Sequence, residues 1–491
     1  MKALAMDVGA SGGKMYLGSF DGKRISMKEV HRFHNAPIEA AGHYYWDIMG
    51  IHANMLEGIH KAAEEGFDSV GVDAFCNDYG LLDKDGRLFN QVYMYRDRRT
   101  EGVPEKMDRK IDPRELYART GCQRARFNTL VHLAAQMEDS DRFLLENAET
   151  LLFVPDLLDY MLCGEKAVEF TVSSVSQAYN QPKQAWDEDI LRRFNIPTKI
   201  FPKVLTPGRK LGPALKWVTD KTEAKPFTVC KVCHHDTASA VMAVPSINKH
   251  FAYISSGTWS LMGTETDGLI LTDEAYKANF ANEGGFAYKN RFLKNVMGLW
   301  LLQECKRQFD AAGLSASFAE LDTLAEKETP FRSLINPDDG LFFEPGEMTE
   351  KIQRRCREHG EPVPETPGQI NRCIKESLAL AYRRTLENIE RLAGYTVPAV
   401  HILGGGGQSI LLNRFAASAM GRRVLAGPVE AAAAGNLCAQ FIAAGEMADL
   451  AQARAAVLES FPITEYLPEN PAAWEDAYGR FLKIVQKDEA R

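Results

Sequence analysis

ALAMDVGASGGKMYLGSF, residues 3–20, reads as an apolar run from Ala3 to Val8, a turn-rich loop from Gly9 to Gly13 and an alternating run from Lys14 to Phe20. Asp21-Gly22 turns the chain into a third stretch of strand character, Ile25 to His31. The pattern predicts an antiparallel three-strand meander. FAYISSGTWSLMGT, residues 251–264, repeats the device of strand, Gly-centred polar turn and strand. A length of 491 residues is enough for about three average domains. The repeat instead predicts two large ones, residues 1–245 and 246–491.

Working outward, a helix is expected from about Asp47, with Ile51, Met55 and Ile59 on one face, ending at Gly66. Ser69 to Ala74 reads as a buried strand and Leu81 to Leu88 as a hairpin around Asp85-Gly86. Helical pattern dominates from Pro113 to Gly164. Prolines at 197, 202, 207 and 213 predict an irregular surface segment over 195–215. Phe227 to Val232 reads as a strand, followed by a helix from near Thr237 that stops before Pro245. Helices at 297–312 and 367–393, a strand at 397–403, the glycines 404–407 and a final helix at 471–487 complete an α/β chain.

Composition narrows the function classes. Hydrophobic residues make up 45% and charged residues 25%, the balance of an ordinary globule. Subtracting 66 Asp and Glu from 58 Lys and Arg leaves −8, with no long basic run, which argues against nucleic acid as a partner. No stretch reaches the roughly 18 apolar residues needed to span a bilayer, and Asp7 interrupts any N-terminal leader pattern. Nine cysteines scattered from Cys76 to Cys438 do not form the dense framework of a small secreted domain. The expectation is a protein of the reducing cytoplasm, with no membrane partner and with Cys356 and Cys373 as free thiols.

Four motifs carry chemistry. Asp7 to Lys14 offers small residues whose backbone N–H groups can form a concavity for phosphate oxygens. It lacks the GxxxxGK[ST] pattern and the following helix of a Walker loop. Asp7, at a strand end beside this loop, suits Mg²⁺ held through water. Ser255-Ser256-Gly257-Thr258 is a second loop of the same kind, and the pair suggests a nucleotide held by two related halves. Gly404 to Gly407, between strand and helix, permits close approach of a ligand. His234-His235-Asp236 lies between a buried strand and a helix start, where Asp236 serves either as an N-cap or as a general base. Cys230-Lys-Val-Cys233-His234 matches the haem-attachment spacing but reads as a buried strand, so packing thiols are expected.

These strings and others resemble the FGGY carbohydrate kinase family over nearly the whole chain. They include DYGLLD (78–83), YRDRRT (95–100), TGCQRARFNTL (120–130), PDLL (155–158), HDTASA (235–240), NEGG (282–285), LKNVMGLWLLQE (293–304), GGGGQSILLN (404–413) and AGPVEAAAAGN (426–436). ISSGTWSLMG (254–263) with LKNVMGLWLLQ is similar to the rhamnulose branch of that family in particular. The resemblance implies two actin-like, ribonuclease-H-like domains holding ATP and Mg²⁺, and phosphoryl transfer to the 1-hydroxyl of a ketose, L-rhamnulose first. It also implies Asp236 as the base, with Asp78, His235 and Thr237 on the sugar. Ala10, Ser11, Gly12, Gly13, Lys14, Thr258, Asn295, Gln303 and Gly405 would contact ATP, and Asp7 the metal. The chain departs from the family at Phe75-Cys76-Asn77-Asp78, where Trp-Gly-Val-Asp is usual. It also has Gly12 and Lys14 in place of Ser and Arg. The first departure leaves L-fuculose or L-xylulose open as substrates, and a sugar-binding relative that has lost catalysis is the alternative of another class.

Overall fold

The computed structural model describes residues 1–490. The chain divides into two compact units. The first comprises Met1–Ile247, Thr266–Phe292 and Ala431–Ser460; the second comprises Asn248–Glu265, Leu293–Glu430 and Phe461–Arg491.

In the first unit the meander forms as the alternation predicts: β1 (Lys2–Gly9), β2 (Gly12–Phe20) and β3 (Ile25–His34). β1 pairs antiparallel with β2, Gly9 opposite Gly12, so the connecting turn is only Ala10-Ser11. On its other side β1 runs parallel to β4 (Ser69–Ala74), and β6 (Thr228–Lys231) runs parallel to β4 in turn. Ala3, Leu4, Ala5, Met6 and Val8 are fully buried, as a strand covered on both faces requires. With β5 (Arg209–Pro213) at the edge, the sheet order is β5-β6-β4-β1-β2-β3. This edge strand corrects the expectation of an irregular 195–215 segment. Proline excludes a central strand but not an edge one, and the register shifts between Lys210 and Gly212.

The helix Ile48–Ala63 starts where Asp47 accepts a hydrogen bond from the Gly50 N–H at 2.9 Å. Its residues Ile51, Met55 and Ile59, four apart, are buried against the sheet. The opposite face is sealed by the helix Ala431–Ala444, distant in sequence yet part of this unit. Gln440 donates to the Leu4 carbonyl at 3.1 Å and accepts from Ser69 Oγ at 2.6 Å. Asn436 donates to the Gly71 carbonyl at 3.1 Å. Gly18 is tightly constrained, because a Cβ there would lie 2.4 Å from Leu437 Cδ1. The first break falls at Ile247, but segments 266–292 and 431–460 complete the first unit.

The second unit repeats the pattern. β7 (Ala252–Ser256) and β8 (Trp259–Thr266) form an antiparallel hairpin, Ser256 opposite Ser260, with Gly257-Thr258 as the turn. β9 (Ala399–Leu403) runs parallel to β7 and β10 (Arg423–Ala426) parallel to β9. β11 (Thr464–Tyr466) closes the edge antiparallel. A hairpin followed by parallel strands on the far side of its first strand thus occurs once in each unit, as residues 3–20 and 251–264 predict. Among the described residues no helix is long and apolar enough to cross a membrane. The nine cysteines are free, Cys230, Cys233, Cys356 and Cys373 among the buried ones.

Candidate active site

In the first unit the chemistry gathers at the carboxyl ends of β1, β4 and β6. The parallel register sets Asp7 beside Asp73, so the two carboxyls share one face of adjacent strands. Asp73 is fully buried, and Asn436 donates to its Oδ2 at 2.6 Å. Burial, then the charge of Asp7, pushes the Asp73 carboxyl well above the usual range, and a hydrogen bond with Asp7 adds to this. Asp73 is marked in the sequence only by being a carboxyl inside the largely apolar SVGVDA.

Beyond β6 the chain continues alongside β4. The Ala74 N–H donates to the His234 carbonyl at 2.9 Å, and His235 forms a parallel bridge with Ala74. His235 is the N-cap and Asp236 the first residue of the helix Asp236–Met242. Asp236 Oδ1 accepts from the Thr237 N–H at 2.5 Å and from the Thr237 hydroxyl at 3.2 Å. A third of the Asp236 side chain is exposed (33%). The surrounding protein nonetheless raises its carboxyl to about 6, against the opposing Thr237 hydrogen bonds and the Arg291 charge. That sets a carboxyl that titrates near neutrality at this strand end, with one oxygen held by Thr237.

The strand end is anchored by a buried ionic cluster. Lys231 Nζ lies 2.6 Å from Asp156 and 3.2 Å from Asp159. His234 bridges the same two carboxylates at 2.9 and 3.1 Å. All four side chains are fully buried. Burial and Lys231 oppose charge on His234, but Asp156 and Asp159 outweigh them and lift it to about 9.

Asp78 is 2% exposed and accepts from the Trp46 indole N–H at 2.6 Å. Burial pushes its carboxyl up to about 8. Trp46 stacks on Phe75 with centroids 4.4 Å apart. The half-buried Cys76 thiol is raised well above its ordinary value, by burial first and then by the charges of Glu283, Asp236 and Asp78. The structure therefore sets the unusual Cys76 in the electrostatic neighbourhood of Asp236 and Asp78. Asn77 adopts φ +78°, a conformation that asparagine tolerates better than most residues.

The loop 10–14 has a second constraint. A Cβ at Gly13 would sit 2.1 Å from the Phe33 ring, and one at Gly12 would lie 2.9 Å from the Phe33 carbonyl oxygen. Packing against β3 favours glycine at both positions, whatever the loop binds. Lys14 pairs in register with Asp7.

In the second unit the turn Gly257-Thr258 caps the helix Trp300–Ala311. The Leu299 N–H donates to the Gly257 carbonyl at 3.0 Å and the Trp300 N–H to that of Thr258 at 3.2 Å. Thr258 Oγ1 donates to Gln303 Oε1 at 3.3 Å. The glycine run packs on the same turn: a Cβ at Gly406 would fall 1.9 Å from Ser256 Oγ, and Gly404 has φ +78°. Gly405 faces open space. The structure thus brings Ser256, Thr258, Gln303 and Gly404–Gly406 together, while Asn295 lies on the strand Asn290–Met297 leading to the same helix.

The chain belongs to the FGGY family of carbohydrate kinases: its N-terminal domain model matches residues 2–243 and its C-terminal domain model residues 252–444. Curated relatives are named rhamnulokinase. One from Bacteroides thetaiotaomicron is 42% identical over 484 residues, covering 98% of this chain and 99% of that protein. One from Bacillus subtilis is 37% identical over 469 residues, covering 95% of each. Among solved structures, a ligand-bound xylulose kinase from Lactobacillus acidophilus superposes with TM-score 0.83 at 13% identity, over 100% of this chain and 98% of that one. A Plasmodium falciparum glycerol kinase with ADP gives TM-score 0.80 at 12% identity, over 99% and 98%. The chain has the two-domain actin-like α/β fold of an FGGY sugar kinase.

Proposed function

We propose that this chain transfers the γ-phosphoryl group of ATP to the 1-hydroxyl of L-rhamnulose, giving L-rhamnulose 1-phosphate and ADP. The observation that carries the reading is the Asp236 carboxyl, raised to about 6 and oriented through one oxygen by Thr237. Its other oxygen takes the proton of the sugar hydroxyl as the O–P bond forms. His235, Thr237 and Asp78 hold the sugar, and the rhamnulokinase relatives support L-rhamnulose as that sugar.

Ala10 to Lys14 and Thr258 contact the ATP phosphates, and Asn295, Gln303 and Gly405 line the nucleotide site. Among the described residues no cluster of three or more His, Cys, Asp or Glu forms a metal cage. The donor set still fits Mg²⁺, which is held through one or two carboxylates plus waters and substrate phosphates. Asp7, with Asp73 beside it, would hold the ion, which would neutralise charge on the phosphates. Phosphoryl transfer leaves the protein little covalent work, so orientation of the hydroxyl by Asp236 and His235 supplies much of the rate. Nine free thiols support a reducing, cytoplasmic setting.

A panel of ketoses in a coupled ADP-release assay tests this. L-rhamnulose is expected to give the highest kcat/KM; no ADP release above the sugar-free rate with any ketose overturns the kinase reading. Cys76, where the family usually has glycine, favours one second reading, a different ketose such as L-fuculose or L-xylulose. A higher kcat/KM on either would install it.

A further inference from the structure

His235 is held from a distant part of the sequence. Arg291, on the strand Asn290–Met297, is fully buried, and its Nη2 lies 3.0 Å from His235 Nδ1. The same nitrogen is 3.0 Å from Glu283 Oε2 on the strand Ala281–Gly284, and Arg291 Nε donates to the Gly284 carbonyl at 2.8 Å. The guanidinium is thus fixed by a carboxylate and a carbonyl while one N–H reaches the imidazole.

A guanidinium has donors and no acceptor, and it stays protonated in proteins. Where it meets Nδ1, that nitrogen must present a lone pair. The ring is then neutral and its one hydrogen sits on Nε2. Nε2 is the atom that faces the base, 3.5 Å from Asp236 Oδ1. The His235 backbone is fixed as well, its N–H donating to Thr171 Oγ1 at 3.1 Å.

We propose that Arg291, held by Glu283, is a positioning residue that locks His235 as the Nε2–H tautomer, aiming one hydrogen-bond donor at Asp236 and the reacting sugar. The inference rests on the kinase reading for its purpose but not for its geometry. Deletion of Arg291 would free the ring to protonate or to place its hydrogen on Nδ1, and the donor beside Asp236 would no longer be guaranteed. The charged groups facing the ring are Arg291, Glu283 and Asp236. Burial and then the Arg291 charge hold its ionisation well below the ordinary histidine range, in keeping with a permanently neutral ring.

The test is nitrogen-15 NMR of the imidazoles in the full chain, with His235 assigned by loss of its signal in His235→Asn. In the wild type His235 is expected to stay neutral with its proton on Nε2 from pH 5 to 9. In Arg291→Met/Glu283→Gln, which removes donor and counter-charge together, it is expected to titrate or to move its proton to Nδ1. The KM for sugar is expected to rise at least ten-fold, with the KM for ATP within two-fold of wild type. Arg291→Gln, which keeps a donor, should retain the tautomer. A wild-type His235 that titrates in this range, or carries its proton on Nδ1, overturns the inference, as does a double variant with the wild-type tautomer and sugar KM. If the double variant fails to fold, the wild-type spectrum alone still decides. The tautomer is read without turnover, so failure of the kinase reading and failure of this inference are separate results.

Discussion

Asp7 and Asp73 stand opposite each other in the parallel register of β1 and β4, and Asn436 ties the buried member of the pair to the helix Ala431–Ala444. Since burial and Asp7 favour a neutral Asp73, Asp73→Asn should fold with stability within about 1 kcal/mol of wild type. Asp73→Ala, which leaves one Asn436 N–H without an acceptor while the other keeps the Gly71 carbonyl, should cost about 1–3 kcal/mol. Urea unfolding of the two variants separates these outcomes; equal losses would contradict the neutral state.

Asp236→Asn should lower kcat by about a hundred- to ten-thousand-fold and leave ATP binding, measured by calorimetry, close to wild type. In the wild type the base must be ionised to act. Its carboxyl titrates at about 6, so kcat/KM for sugar should be level above pH 7 and fall as pH drops through about 6. Near-normal turnover in the variant would remove Asp236 as the base.

The His234 cluster couples folding to pH in the alkaline direction. Its imidazolium is stabilised when folded, titrating at about 9 against an ordinary value of about 6.5. The contribution is fully present below pH 6.5 and is lost as pH rises through 9. His234→Gln should flatten the stability profile over that window. Lys231→Met, which strips a counter-charge from the buried Asp156 and Asp159, should cost about 3–5 kcal/mol. Thermal melts from pH 6 to 10 read both.

Gly405 and Gly406 separate binding from packing. Gly405→Ala meets open space and should change stability by less than about 0.5 kcal/mol while raising the KM for ATP. Gly406→Ala drives a Cβ into Ser256 and should lower Tm, with recovery in Gly406→Ala/Ser256→Gly. Unchanged ATP kinetics in Gly405→Ala would take Gly405 out of the nucleotide site.

What was legible in the sequence was local. Alternation and Gly-centred turns marked both hairpins, and the spacing of Ile51, Met55 and Ile59 marked a helix face, because period and turn chemistry act over a few residues. Asp236 stood out by its place between strand and helix. Asp73 and Arg291 were hidden, because each is defined by a partner far along the chain: Asp7 through sheet register, His235 through its contact with a buried guanidinium; Glu283 lies within NEGG, where nothing local marks it as the carboxylate that pairs with Arg291. The edge strand Arg209–Pro213 was obscured by prolines that exclude a strand centre but not its rim. Gly12 and Gly13 read as phosphate-loop residues, and only Phe33 in place reveals their second constraint.

The helix Ala431–Ala444 has a consequence for biosynthesis. The first unit takes its amide ladder to Leu4 and Gly71, and the side chain that packs over Gly18, from residues more than four hundred positions beyond the first strand. A nascent chain emerging amino end first therefore carries β1 and β4 with one face uncovered until residues 431–444 have also left the ribosome. The first unit cannot finish folding before that helix arrives.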